Sequence, residues 1–457
     1  MQKMKNGKKV LSVCLSLAMA AGMLSTSAFA SWNVYGGSNN HNAVVTEAPT
    51  RPDKSGLDSY IQLHCTGSGW DGVDNVPVLQ TVNGTTYAYV LYDGYGASGA
   101  LVAKIRCAEN GGSSIVWTTD PYGTEGTSLN AKSGFQLSTP YLDDNGTPND
   151  ASDDTLYVGT ISQYDDYEGG EWLTGTGSKV MALTGLDQNK PTVTNVLTGI
   201  NGQINTPITT DGTYLYFGTW PGGSRAGTYY QVKLSDYSVK TFTPDSYGFY
   251  WAGAVSDGTN VYFGSDNGLL YWRSIADFDT TGGVLDLTDV ASDAGNVRST
   301  VMLDDGYLYF TTQGGYLWCC SYDDGLTVEW HKKLGATSTS TPTKVGDRIY
   351  VGYYSGFNAG GVQCVSADGS SVKTVVEGDG FPVQSSIVVM GDGTGTDYLY
   401  FNTNAQKGAG YCYSFDGTTG SKVWGTTGDT YALGGMAIDN GYAVFGNDYN
   451  HLYVVHD

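Results

Sequence analysis

One pattern recurs eight times along this chain of 457 residues and constrains the fold more than any other feature. The pattern is a short strand-like run near a Ser/Thr-Pro pair, a tight turn and a second run ending Tyr-(Val/Phe)-Gly, with departures in several copies such as Tyr309-Phe310-Thr311, Tyr400-Phe401-Asn402 and Val444-Phe445-Gly446. A third run and another turn follow. Clear starts are Ser138-Thr139-Pro140, Asn205-Thr206-Pro207 and Ser340-Thr341-Pro342; clear turns are Asp211-Gly212, Asp257-Gly258, Asp305-Gly306 and Asn440-Gly441. The second runs centre on Tyr89, Tyr157, Tyr216, Tyr262, Tyr309, Tyr350, Tyr400 and Val444, at spacings of 68, 59, 46, 47, 41, 50 and 44 residues. A repeat of about 40–50 residues carrying four short strands is one blade of a β-propeller. The two long intervals hold insertions at 120–134, 143–154 and 163–177, between strands, where an insertion costs little beyond loop closure.

Composition agrees. With 65 Gly, 35 Tyr and only 15% charged residues, helix formers are scarce, which argues against a helical bundle or a doubly wound α/β enzyme. At 40% hydrophobic the chain can bury a large core. The expectation is an all-β, eight-bladed propeller of four-stranded antiparallel blades. The last copy stops after its third strand, and the missing strand would leave an open edge. The alternating run Tyr60-Ile61-Gln62-Leu63-His64-Cys65 is expected to supply it and close the ring. Residues 31–57 are expected to cross the surface before that point. The domain reading is residues 1–30 as a leader, 31–59 as a lead-in and 60–457 as the propeller.

The leader has a basic start (Lys3, Lys5, Lys8, Lys9), an apolar stretch and the small-residue site Ala28-Phe29-Ala30, the marks of a signal peptide. The protein is expected outside the cell or on the exterior of the envelope after cleavage near Ala30, with no membrane insertion. Removing those four lysines takes the net charge from −22 to −26, a field that disfavours nucleic acid.

Copy seven carries the fullest motif, Cys412-Tyr413-Ser414-Phe415-Asp416-Gly417-Thr418-Thr419-Gly420-Ser421-Lys422-Val423-Trp424. It resembles the PQQ-like, quinoprotein-type β-propeller repeat family, and the run Trp32 to Asn42 looks like that family's lead-in. The resemblance implies that Trp117, Trp330 and Trp424 dock each blade on the next. It extends to the non-enzymatic outer-membrane assembly propellers of Gram-negative bacteria and to PQQ-dependent dehydrogenases, which hold the quinone on the central axis with Ca²⁺, a carboxylate, an Asn, an Arg and an aromatic floor. Arg298, Gln136 and Asn205 are the axial candidates here, but the full set has no residue-by-residue match. By repeat position Cys107, Cys319, Cys364 and Cys412 are equivalent small positions of the third strand. They are too far apart for bonds that need Cβ atoms about 4 Å apart. Cys319 and Cys320 point to opposite faces of a strand.

No histidine sits in a recognisable triad and no glycine-rich segment has a phosphate-loop context. The acidic run with Asp143, Asp144, Asn145, Asp150 and Asp153 is a candidate Ca²⁺ loop, although it lacks the EF-hand spacing. The loops of one rim collect aromatics beside carboxylates, a mixture suited to a sugar face or a protein partner. Tyr164, Tyr167, Trp172, Trp220, Trp251, Tyr353 and Tyr354 are the candidate binding residues. The functional expectation is a monomeric, non-enzymatic scaffold that binds a protein or carbohydrate partner, with no cofactor. The alternative is a PQQ- or Ca²⁺-dependent oxidoreductase.

Overall fold

The computed structural model describes residues 31–63, 72–94, 99–120, 126–129, 138–161, 164–168, 171–174, 177–323 and 325–457, with backbone only for 93, 94, 164–168 and 171–174. The leader, Gln136, His64 and Cys65 lie outside the described residues. Ser31–Asp457 forms one compact unit.

Eight four-stranded antiparallel blades make up that unit. Their innermost strands are Val78–Val82, Tyr141–Asp143, Thr209–Thr210, Val255–Ser256, Met302–Asp304, Thr343–Val345, Val388–Met390 and Ala437–Asp439. In the eighth blade the outer strand is Ile61–Gln62, paired antiparallel with Leu452 and His451 of His451–Val455. Tyr60 stacks on His451 beside it, with ring centroids 3.7 Å apart.

The repeat residues have mechanical roles. The Asp211 carboxylate accepts the amides of Thr213 and Tyr214 with one oxygen and the Tyr216 hydroxyl with the other, all at 2.8 Å. Asp257 does the same for Thr259, Asn260 and Tyr262, so turn and buried tyrosine are one device. The glycine ending the second strand admits the next blade: a Cβ on Gly264 would collide with Val297, and one on Gly352 with Val383.

Pairing also sets the cysteine positions. Cys319, Cys364 and Cys412 lie opposite Tyr309, Tyr350 and Tyr400. In the first blade the residue opposite Tyr89 is Lys104, and Cys107 falls beyond the strand end Gly99–Arg106, so Cys107 is not their equivalent. The five described cysteines are unbonded and buried. Cys319 and Cys320 join different core clusters on opposite faces of their blade.

The lead-in differs from expectation. Residues 32–45 do not cross the surface; they fill the central channel. Trp32, Val34, Tyr35, His41 and Ala43 are buried. The carbonyls of Trp32, Asn33, Asn40 and Ala43 accept amides of four innermost strands, from Leu79, Leu142, Leu303 and Val389, at 2.8–2.9 Å. Asn42 donates Nδ2–H to the Lys344 carbonyl and accepts the Lys344 amide, and Val44–Val45 pairs in parallel with Val389 and Met390. The reason is hydrogen-bond accounting. A closed ring leaves one edge of every innermost strand facing the axis, and buried backbone groups need partners. Past residue 45 the chain leaves the innermost strands, and the Arg51 amide and Thr50 hydroxyl meet the Asp457 carboxylate.

Candidate functional site

Four consecutive blades, the third to the sixth, build one part of the rim. Trp220 exchanges two backbone hydrogen bonds with Gln203, its indole Nε1–H donates to Asp266 Oδ2 at 3.2 Å, and its ring meets Tyr250 edge-on at 5.1 Å. Asp266 also takes both Nε–H and Nη2–H of Arg298 at 2.7 Å. The guanidinium lies 4.5 Å over the Tyr250 ring. Burial favours the neutral form of Arg298, but the hydrogen bonds and charge of Asp266 outweigh it and hold the pKa above the ordinary value. Further round, Asn296 donates to Gln313, and Gln313 reaches the Tyr354 hydroxyl at 3.5 Å. Trp220, Trp251 and Tyr354 are half-buried, each offering part of a ring from a rigid base.

Trp251 has φ of +58°. A bulky residue in the left-handed region is strained and persists only where its surroundings hold it there. Here the Trp251 carbonyl accepts the Gly253 amide at 2.9 Å and the Thr300 hydroxyl at 3.4 Å.

Tyr353 belongs elsewhere. Successive strand residues face opposite sides, so Tyr353 turns into the core while Tyr354 faces the rim. Its hydroxyl donates to Glu377 at 3.2 Å and burial raises its pKa to about 12. Tyr164–Glu168 and Glu171–Thr174 form a hairpin with Trp172 opposite Tyr167; the side chains of Tyr164, Tyr167 and Trp172 lie outside the described ones.

The rim surrounds an axial pocket of about 70 Å³. Tyr35 of the lead-in is among its lining residues, and the rest come from the segments leading into each blade, including Asp74, Asn75, Asn205, Trp251, Arg298 and Gly434. Hydrogen bonds join neighbouring segments around it, from the Val76 amide to Thr139, the Ile208 amide to Thr139, the Thr300 amide to Thr341, and Thr339 to Gln384. Sequence reasoning placed Arg298 and Asn205 at the axis but missed Tyr35, Asp74 and Asn75. The usable signal was Val76-Pro77, the first blade's counterpart of the Ser/Thr-Pro pair.

The acidic loop is occupied with its own folding. Asp143 and Asp144 accept amides of Asn145 and Gly146, Asp150 accepts from Ser152, and Asp153 accepts from Asn145 and Thr147. Among the described residues no three His, Cys, Asp or Glu side chains are grouped to hold a metal ion. The three tryptophans of the outer strands sit between blades. Trp117 Nε1–H donates to the Leu186 carbonyl of the next blade at 3.4 Å, Trp330 lies against Gly369 of the next blade, and Trp424 Nε1–H donates to the Pro49 carbonyl at 2.8 Å.

No protein-family model matches the chain, and no curated protein does. Solved propeller structures do. BamB from Moraxella catarrhalis is 14% identical over 87% of this chain and 100% of its own, with a TM-score of 0.50. Quinohemoprotein alcohol dehydrogenase from Comamonas testosteroni is 10% identical over 91% of this chain and 76% of its own, with a TM-score of 0.56. Sqt1 from Saccharomyces cerevisiae is 11% identical over 89% and 99%, with a TM-score of 0.53. At these identities the likeness is one of fold, and a PQQ-like repeat is what the sequence resemblance implies.

The axial pocket can be tested for the quinone that such a repeat implies. The residue types are represented by Asp74, Asn205, Arg298 and Tyr35. The room is not, since pockets for cofactors and drug-sized ligands have about 300–1,000 Å³ and this pocket has about 70 Å³. Arg298 is already committed to Asp266 through two hydrogen bonds. The pocket as built does not fit PQQ.

Proposed function

We propose that the chain is an exported, monomeric, non-enzymatic propeller whose rim, from the third to the sixth blade, binds a protein or carbohydrate partner. The observation that carries this is the set of half-buried rings of Trp220, Trp251 and Tyr354 on the base formed by Asp266, Arg298, Gln313 and Asn296. Anchors of this kind, rigid and partly open, supply most of the energy in recognition. Export is supported by the signal-type sequence of residues 1–30, and among the described residues no helix is long and apolar enough to cross a membrane.

The test is a glycan array together with capture of extracellular and envelope proteins, using the parent and a Trp220→Ala/Tyr354→Ala variant. A partner retained by the parent and lost by a variant that stays folded is the expected result. Equal retention by both would remove the rim from the account. PQQ with Ca²⁺ should give neither an absorbance change nor dye reduction.

A further inference from the structure

The lead-in runs round the channel in blade order. Trp32 and Asn33 take amides of the first and second blades, Asn40 of the fifth and Ala43 of the seventh, while Asn42 bonds Lys344 of the sixth twice. The His41 ring reaches back to the Ala254 carbonyl, ahead of the fourth blade's innermost strand, at 2.7 Å. The amides of Leu79, Leu142, Leu303, Lys344 and Val389 sit at one level of the ring. Each belongs to the residue that follows the one paired with its blade's repeat tyrosine.

The two ends of this belt flank the eighth blade, where the ring closes. Trp32, Tyr35 and Ala43 share one buried cluster with Ala88 of the first blade, Val388 of the seventh and Ile438 of the eighth. On the outside the closure is a pairing of two residues, half-buried Ile61 and exposed Gln62, with Leu452 and His451. Ladder bonds open to water exchange one partner for another at little net gain, whereas buried backbone groups have no such exchange. Parting the eighth blade from the first widens the channel. A belt bonded on both sides of that gap must release one set of its bonds before the gap can open.

We propose that the lead-in is an axial clamp that holds the ring shut, and that the outer strand Ile61–Gln62 is the secondary closure. The clamp acts as a unit, so loosening it at the sixth blade weakens the junction of the eighth blade with the first.

Two buried, unbonded thiols report where the ring opens. Cys107 lies in the closure cluster with Ala443 and Val454 of the eighth blade, and Cys320 lies in the cluster between the fourth and fifth blades. The test is alkylation of the whole mature protein by iodoacetamide under native conditions, read thiol by thiol by mass spectrometry. Both thiols should react slowly in the parent. Asn42→Ala removes both bonds to Lys344 and should speed Cys107 about tenfold or more relative to Cys320. Ile61→Pro disrupts the outer pairing at a residue packed against the closure cluster itself, and should speed Cys107 less. Asn42→Asp, which loses only the Nδ2–H donor, should give the same ranking less steeply if Asn42→Ala fails to fold. Equal acceleration of the two thiols, no acceleration by a folded Asn42 variant, or a larger effect from Ile61→Pro would overturn the proposal.

Discussion

The central channel has two stretches that differ in how they are paired. Along the innermost strands the lead-in pairs its backbone, although Trp32 Nε1 is buried without a partner and His41 has φ of +60°. Its carbonyls take strand amides, Asn42 bonds Lys344 twice, and His41 faces the Tyr35 carbonyl at 2.9 Å and the Ala254 carbonyl at 2.7 Å. At the segments leading into the blades, the same channel holds unmet acceptors on Asn75 and Asn205, and a tryptophan in a strained backbone conformation. The difference is one of backbone pairing: the lead-in covers the edges of the innermost strands, whereas the entering segments are joined to one another through side-chain hydroxyls.

Breaking the sealed stretch should have the largest effect. Trp32 is 3% exposed, and Trp32→Ala should lower stability by about 3–5 kcal/mol, measured as a shift of the denaturation midpoint. Asp266→Ala comes next, because it strands the Arg298 charge. A loss of about 3 kcal/mol is expected, together with weaker partner binding as Trp220 and Tyr250 loosen.

Acid should sharpen the contrast. Burial lowers the pKa of His41, and its two backbone hydrogen bonds offset that only in part. Below the ordinary value of 6.5 the unfolded chain takes a proton that the folded His41 refuses. Stability is lost from there down to the folded pKa, by up to about 1.4 kcal/mol per pH unit. Burial raises Asp154 and Asp439 to about 6. They act oppositely, since the folded state holds their protons more tightly between 3.8 and about 6. Comparing the parent with His41→Gln isolates the histidine: the parent's stability should fall relative to the variant's as pH drops below 6.5. The smallest effect belongs to the open stretch. Trp251→Gly relieves the positive φ and should leave stability unchanged or raised by up to about 1 kcal/mol, while partner binding weakens.

The propeller was legible because the blades repeat variants of one pattern, a tight turn under a tyrosine and, in several, a glycine under the next blade, so eight copies reinforce one signal. The lead-in appears once. Its glycines, asparagines and short apolar runs read as a surface loop, and its partners, Leu79, Leu142, Leu303 and Val389 among them, are distributed over blades that sequence proximity does not connect. The rim was legible as an aromatic set but not in orientation. Strand alternation at Tyr353 and Tyr354 would have separated the inward ring from the outward one. Asp74 and Asn75 carry no motif, and their role comes from the convergence of eight segments on one axis.

Hydrogen exchange read at single amides tests the division of the channel most directly. The amides of Leu79, Leu142, Leu303 and Val389, bonded to the lead-in, should be among the slowest in the protein. The amides of residues 74, 75, 205 and 298 in the entering segments should exchange faster. Amides of the sealed stretch that exchange as fast as surface loops, or entering segments as slow as the sealed stretch, would contradict the account.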